Sequence, residues 1–364
     1  MTGNRVLTLV AIGWLFCSAA VSGAPLFESQ QAIDVVIEAP IERLSRQRKN
    51  EPELPGKVIY VDASGTEQVL DVIVSTRGKS RLDICDRPPL RLEFDEDKTQ
   101  GTLFEGQHKL KMVRQCLRSR PSRDWLYLEL AVYRAYNVVT DFSFKVRALN
   151  ATFTDTESRS KRGRAEPVFL IEDDDRMAER LNRHRIKPLT VQPEQMEPTQ
   201  TAHNLLFQYL IGNTDFALKA GAIGDPCCHN GRVLTETGRE QDWIIVPYDF
   251  DYAGILNTDY ALPHEKLPIR QVSTRLYRGF CWLNDELEES IELFKQRREQ
   301  IEAAFLPPEL SKGKARRVKN YLERFYETIN DPEELQQELF DKCRGPDSLP
   351  VGESPVSPDF EKKP

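Results

Sequence analysis

Four oxygen-bearing residues fall at positions where the chain changes direction. Asp215 closes the turn Gly212-Asn213-Thr214-Asp215 behind an apolar helical run, and Asn230 follows an irregular stretch. Asp249 and Asp251 stand at the end of the apolar run from Trp243 to Tyr248. Hard divalent cations such as Mg²⁺ prefer carboxylate and amide oxygens, and the phosphates of a substrate commonly complete their shell. An Asp at a strand end with a loop Asn therefore suits a metal held against nucleotide phosphates, while a separate Asp orients a hydroxyl nucleophile for phosphoryl transfer. Taken singly, each of these residues is also what turns and caps use. The ordered set is more specific than its members.

Other chemistries fail on spacing. Gly78-Lys79-Ser80 resembles the end of a phosphate loop, but Ile73 stands where the first Gly of that loop belongs. The chain has no Gly-x-Ser-x-Gly and no His-Glu-x-x-His, and Gly221 with Gly224 is an isolated pair. His108, His184, His203 and His264 have no metal-ligand spacing. Cys227 and Cys228 adjoin His229 without a Cys-x-x-Cys pattern, which points to a disulfide or a buried thiol rather than zinc.

The elements that must position the oxygen set are legible from periodicity. Lys57 to Val61 and Gln68 to Ser75 flank Asp62-Ala63-Ser64-Gly65 as a hairpin, Leu90 to Phe94 and Leu110 to Val113 read as strands, and Phe144 to Phe153 with Pro167 to Ile171 form another pair. Trp125, Leu128, Val132, Ala135 and Tyr136 mark a helix between them, with Ser122 or Asp124 as its cap. The second half reads as mostly helical. Thr201 caps a helix that Gly212 ends, and a strand around Gly231 to Leu234 accompanies Trp243 to Tyr248. Helical stripes follow through Leu287, Ile291, Phe294, Ile301 and Phe305, and then Val318, Leu322, Phe325 and Ile329. The loop from Asp155 to Ala165 carries Arg159, Lys161, Arg162 and Arg164 and reads as a solvated hairpin tip.

The 364 residues are 40% hydrophobic and 29% charged, enough for two domains or lobes with a sizeable core. Disordered, collagen-like and multispanning membrane chains are excluded by that balance. A net charge of -7 has the wrong sign for general attraction to nucleic acid. At the amino terminus Arg5, the apolar run Val6 to Ala20 and the small residues Val21-Ser22-Gly23-Ala24 have the layout of a cleaved secretory signal peptide. The expected location is therefore secreted or periplasmic, and no later segment is long and apolar enough to span a membrane. Outside the signal, six cysteines remain, with Cys85 and Cys116 the favoured pair. The expected boundaries are a signal peptide at 1–23, a β-rich lobe at 24–172, a helical lobe with the metal and catalytic motifs at 173–343 and a disordered tail at 344–364.

The motifs Leu210-Ile211-Gly212-Asn213-Thr214-Asp215, His229-Asn230 and Val246-Pro247-Tyr248-Asp249-Phe250-Asp251 together resemble the spore coat protein H (CotH) kinase-like family and its exported branch. Ser75-Thr76-Arg77-Gly78-Lys79-Ser80-Arg81 and Pro89 to Phe94 are similar to that family's Arg-Gly element and basic strand, and Val168 to Glu172 to its strand ending in Glu. The resemblance implies an α+β fold of the atypical protein-kinase-like, two-lobed kind, with a β-rich N-lobe, a mainly helical C-lobe and nucleotide between them. It makes Asp215 the catalytic base, Asn230 and Asp249 metal ligands, Asp251 a second carboxylate ligand, and Glu172 a neighbour of the adenine. Arg91, Lys109 and Lys111 are the candidate cations for the phosphates, with Lys111 favoured. Glu129 either pairs with Lys111 or faces solvent. The implied activity is phosphotransfer from ATP with Mg²⁺ or Mn²⁺ to an unknown protein or small-molecule acceptor. The alternatives are an inactive kinase-fold interaction protein of an envelope or coat, and a metal-dependent hydrolase.

Overall fold

The computed structural model describes residues 25–158, 163–221 and 224–345. The expected signal peptide, Arg159, Lys161 and Arg162 of the basic loop, and the tail beyond Gly345 lie outside the described residues. Seven strands form the first half: β1 (Ile33–Ala39), β2 (Leu54–Val61), β3 (Glu67–Thr76) and β4 (Leu90–Phe94), which largely alternate buried and exposed positions, then β5 (Lys109–Arg114), β6 (Val146–Asp155) and β7 (Glu166–Ile171), the last ending in a continuous buried apolar run. Because successive side chains on a strand point to opposite faces, Val35 and Ile37, Val58 and Tyr60, Leu70 and Val72, and Leu90 and Leu92 all meet in one interior. The strands close into a barrel in the order β1-β2-β3-β4-β5-β7-β6.

Closure depends on β1, which runs antiparallel to β2 with Val35 opposite Tyr60, and parallel to β6 with Ile33 opposite Leu149. Every strand of the barrel thereby gains a neighbour on both sides. The approach of β1 to β2 is close at Gly56, where a Cβ would lie 2.6 Å from the Glu38 carbonyl oxygen. The expected hairpin is present, with Asp62 Oδ1 accepting from the backbone of Ser64 (2.8 Å) and of Thr66 (3.0 Å).

This architecture corrects the expected two-lobed kinase-like fold. The α+β class holds, but the first half is a closed barrel of mixed strand direction, and the remainder is not a simple helical lobe. The strand that closes the barrel lies in a segment whose pattern carried no hairpin signal, and its parallel partner begins more than a hundred positions later. The second half also contains an antiparallel sheet of β8 (His184–Ile186), β9 (Gly231–Thr235) and β10 (Ile244–Pro247), in the order β10-β9-β8.

Interposed in chain order are α1 (Ile41–Arg46), α2 (Ser80–Ile84), α3 (Arg120–Val139), α4 (Asp174–Arg180), α5 (Pro198–Ile211), α6 (Asn284–Gln296), α7 (Arg298–Phe305) and α8 (Lys312–Asn330). Leu130 and Tyr133 of α3 share one core with Phe207 of α5, Phe294 of α6, Phe305 of α7 and Phe325 of α8. The helical stripes named from the sequence are the buried faces of α6 to α8. Burying each such side chain contributes about 1.5–3 kcal/mol. Cap assignments differ in detail. Asp124 accepts from the backbone N–H and hydroxyl of Ser311, where α8 begins, and Thr201 lies inside α5, whose first turn is capped by Glu197. Gly212 does end α5, at φ 63°, and a Cβ there would collide with the Tyr321 hydroxyl.

Three disulfides are present, Cys85–Cys116, Cys227–Cys228 and Cys281–Cys343. Among the described residues no helix is long and apolar enough to cross a membrane.

One buried contact between α5 and α6 predicts a pH response. His203 Nδ1 lies 2.8 Å from Ser290 Oγ, and burial, helped by Arg297, pulls its pKa down to about 4. The unfolded imidazole titrates near 6.5, so the unfolded chain takes up the proton first and stability falls as pH drops through that interval. Urea unfolding at pH 7 and pH 4.5 is expected to show a loss of order 2 kcal/mol from this group. His203→Gln is expected to shrink that difference, and an unchanged pH dependence in the variant refutes the assignment.

Candidate functional site

The antiparallel ladder of β9 and β10 continues one step past the strands, where Tyr248 N donates to Asn230 O at 3.1 Å. That step places Asn230 beside Asp249. Both residues adopt left-handed backbone, φ 52° and 61°, a region that Asn and Asp enter more readily than other side chains but still at a cost. Asp249 is fixed there by the Tyr133 hydroxyl of α3, which accepts from its backbone N–H at 3.0 Å.

Asp215 is positioned from the other side. After Gly212 ends α5, buried Asn213 donates to Gln208 Oε1 (2.9 Å) and accepts from Asp215 N (3.0 Å). Arg278 donates to the carbonyls of Thr214 (2.6 Å) and Phe216 (2.7 Å), bracketing Asp215. The Asp215 carboxylate then accepts from His229 Nε2 (2.9 Å) and Asn230 Nδ2 (3.0 Å), yet its side chain stays 35% exposed. Burial works against a charged His229, but the hydrogen bond and charge of Asp215, with Asp249 behind, raise its pKa above the ordinary value.

Behind Asp249 lies a fixed cation. Arg81 on α2 donates from Nε to Asp251 Oδ2 (2.9 Å), and from Nη2 to Glu129 Oε1 of α3 (2.7 Å) and to Asp249 Oδ1 (3.3 Å). The Tyr260 hydroxyl also donates to Asp251 Oδ2, at 3.2 Å. Arg81 is only 8% exposed and Glu129 4%. Burial disfavours the guanidinium charge, but Asp251, Glu129 and Asp249 outweigh that and hold its proton well above the usual range. Burial pushes the carboxyls of Asp251 and Glu129 upward, against the pull of Arg81.

A row of basic residues lies beside this group. Ser75, Arg91 and Lys111 are register partners on β3, β4 and β5, and the alternation that buries Leu92 and Met112 turns Arg91 and Lys111 outward. Lys111 Nζ is bound to Asp174 Oδ1, and Asp174 also accepts from Arg232 Nε at 2.6 Å. Burial lowers the Lys111 pKa to about 8, despite Asp174. For Asp174 burial acts upward, but Lys111 and Arg232 hold its carboxyl well below the usual range. The ring of Tyr248 joins the two groups: Arg232 stacks 4.0 Å from its centroid, Lys111 Nζ lies 5.4 Å away, and Asp249 is the next residue. Arg77 adds a further positive charge near both Lys111 and Glu129. Neither Arg77 nor Arg91 has a side-chain ion pair among the described residues.

The expected site residues thus divide. Asp215, Asn230, Asp249, Asp251 and Lys111 are brought to one region, with Arg91 at its margin. Glu129 neither meets Lys111 nor faces solvent, because Arg81 claims it. Lys109 pairs outward with Glu93 at 3.5 Å. Glu172, at the end of β7, accepts from Arg180 Nε and Nη2, each at 2.8 Å, and from Lys145 N at 3.0 Å, so its carboxylate is occupied by the protein itself. Arg81, Asp174, Arg232 and Tyr133 were not singled out from the sequence. Only Arg81 had a signal, its place in the Ser75 to Arg81 element. A cavity of about 920 Å³ lined by Arg120, Asp124, Lys312 and Arg317, among others, shares no residue with this cluster.

Among the described residues no three His, Cys, Asp or Glu side chains gather as a metal cage. Asp251 does not fit a metal, since Arg81 and Tyr260 occupy the oxygen it turns inward. Asp249 Oδ2 and Asn230 Oδ1 are chemically suited to one, because both are hard oxygens and neither meets a protein donor among the described residues. A Mg²⁺ ion needs few protein oxygens when water and phosphate supply the rest. Lys111, Arg77 and Arg91 likewise fit phosphate oxygens.

The Asp215–His229 contact generates a direct prediction. Removing the carboxylate leaves burial as the dominant influence on the imidazole, so Asp215→Asn is expected to drop the His229 pKa below its ordinary value of about 6.5. An NMR titration of the His229 ring checks this, and an unchanged or higher value in the variant contradicts the pairing.

Compared with known proteins, the chain matches no protein-family model and no curated protein.

Proposed function

We propose that the chain is an exported phosphotransferase, moving a phosphoryl group from ATP, with Mg²⁺ or Mn²⁺, to a hydroxyl of a protein or small-molecule acceptor. The observation that carries this reading is the juxtaposition, across Tyr248, of the Lys111 row with the half-exposed carboxylates of Asp215 and Asp249. Of the cations Arg77, Arg91, Lys111 and Arg232, Lys111 and Arg232 share the buried Asp174 carboxylate, while Arg77 and Arg91 have no side-chain ion pair among the described residues, an arrangement suited to a polyanion. The proposal rests on the site and not on a kinase fold.

In this reading Lys111, Arg77 and Arg91 bind the phosphate oxygens and lessen the charge repulsion that opposes an incoming nucleophile. Asp215 orients the acceptor hydroxyl and takes its proton on a carboxylate oxygen as the new O–P bond forms and the bond from phosphorus to the nucleoside diphosphate oxygen breaks. His229 and Asn230 keep that carboxylate in place. A divalent cation would be held by Asp249 Oδ2 and Asn230 Oδ1, and supplies charge neutralisation at the phosphates. Export is supported by the three disulfides, which suit an oxidising compartment, together with the layout of the first 23 residues.

One observation favours a second reading, an envelope or coat interaction protein without turnover: Arg81 already neutralises part of the acidic set, as a structural cluster requires.

Thermal unfolding of the chain without its first 23 residues, disulfides formed, separates these readings. ATP with Mg²⁺ or Mn²⁺ at about a hundred times its Kd is expected to add about 2.7 kcal/mol of stability. Asp249→Asn and Lys111→Ala are expected to abolish the gain. Asp215→Asn is expected to keep it while lowering transfer to an acceptor by about a hundredfold or more. No shift at millimolar nucleotide with folded protein favours the interaction reading. Phosphate release from substrates without nucleotide favours a metal-dependent hydrolase.

A further inference from the structure

The cavity of about 920 Å³ lies where the first turns of α3 and α8 meet the loop through Asn257 and Asp259. Small-molecule sites have volumes of this order. Trp125 and Leu310 supply apolar wall, and a Cβ built on Gly313 meets only open space. Four cations line the same space: Arg120, Lys312, Lys314 and Arg317. Among the described residues Arg120, Lys312 and Arg317 have no side-chain hydrogen bond or ion pair, and Lys314 Nζ donates only to the carbonyl of Leu256. Burial, followed by the charge of Arg317, lowers the Lys314 pKa to about 8, although Asp124 and Asp259 act upward.

Three acids also line the cavity, and none is within ion-pair distance of these cations among the described residues. Asp124 spends both oxygens on Ser311, accepting from its backbone N–H at 3.0 Å and its hydroxyl at 2.5 Å. Asp259 and Glu309 are exposed. Arg123 adds a further positive charge near Asp124 and Glu309. Five cations therefore stand against three acids, and the mutual repulsion of the excess is relieved when an anion enters.

We propose that this cavity is a binding site for a phosphate-bearing ligand, with the half-buried Lys314 as its inner cation and the guanidinium forks of Arg120 and Arg317 on the remaining oxygens. A phosphate monoester carries about two negative charges at neutral pH, which matches the excess, and planar forks bind its oxygens in pairs. A carboxylate supplies only one charge. A soluble phosphate ester and a lipid headgroup share this chemistry, and the test tells them apart. The site has no residue in common with the Lys111 row, so it stands or falls independently of the phosphotransfer reading.

The test follows acetylation of Lys314 by a water-soluble amine reagent, mapped by mass spectrometry, on the protein with its disulfides formed. Glycerol phosphate is the soluble probe and phosphatidic acid vesicles are the lipid probe, beside phosphatidylcholine vesicles and sodium chloride at matched ionic strength as controls. A bound phosphate is expected to slow acetylation of Lys314 about tenfold, while the exposed Lys98 reacts as before. Arg120→Ala with Arg317→Ala is expected to abolish the protection without lowering the melting temperature, because both side chains are exposed and make no contact that folding needs. Lys111→Ala is expected to keep the protection, which separates this site from the proposed active site. Protection by glycerol phosphate assigns a free phosphate ester, and protection by phosphatidic acid vesicles alone assigns a headgroup. No protection by either probe overturns the proposal, as does equal protection by sodium chloride or full protection in the folded double variant.

Discussion

A buried guanidinium that joins three carboxylates sets the geometry of this molecule where the barrel meets the second sheet. Arg81 comes from the segment after β3, Glu129 from α3, and Asp249 and Asp251 from the segment after β10. Such a cluster is not a large source of net stability, since the attraction among its members is offset by the water they give up. Its strength lies in what happens when a member is missing, because a buried charge left alone costs about 3–5 kcal/mol. The three segments are therefore obliged to arrive together. Tyr133 on α3 reinforces the same meeting by holding the Asp249 backbone.

The covalent links follow that arrangement. Cys85–Cys116 ties the end of α2 to the entrance of α3, so the chain carrying Arg81 and the chain carrying Glu129 remain close whatever the ion pairs do. Closing a loop of that separation removes freedom from the unfolded chain worth about 3.5 kcal/mol. Cys227–Cys228 directly precedes His229 and Asn230, and both sulfurs lie against the Leu218 carbonyl, so the polar pair begins from a tethered backbone. The Asp215 turn is held by Arg278 in a similar way, through carbonyls on each side.

How much of this was legible depended on distance along the chain. The hairpin around Gly65, the α5 stop at Gly212 and the stripes of α6 to α8 are local or periodic features, and the sequence displayed them. The convergence of Asp215, Asn230 and Asp249 was also legible, because strand ends and helix stops announce where oxygens gather. Barrel closure was not, since alternation in Ile33 to Ala39 says that a strand has an inner face but not which strand lies beside it. The same holds for Arg81: a cation in a Gly-containing turn gives no sign that it will be buried among acids from two distant segments. Glu172 misled for a related reason, because a Glu at a strand end looks free until Arg180, eight positions on, is seen to bind it.

For the proposed phosphotransfer, barrel closure has a consequence for how a protein acceptor would be recognised. Extended peptides often bind by adding a strand to an exposed sheet edge, where main-chain groups supply the affinity and side chains only the selection. The seven strands of this barrel offer no such edge, and the two outer strands of the smaller sheet, β8 and β10, are only three and four residues long. A protein acceptor would thus have to be engaged through its side chains and its charge. Recognition of that kind depends on the local surroundings of the modified residue and tolerates wide variation in the backbone that presents it.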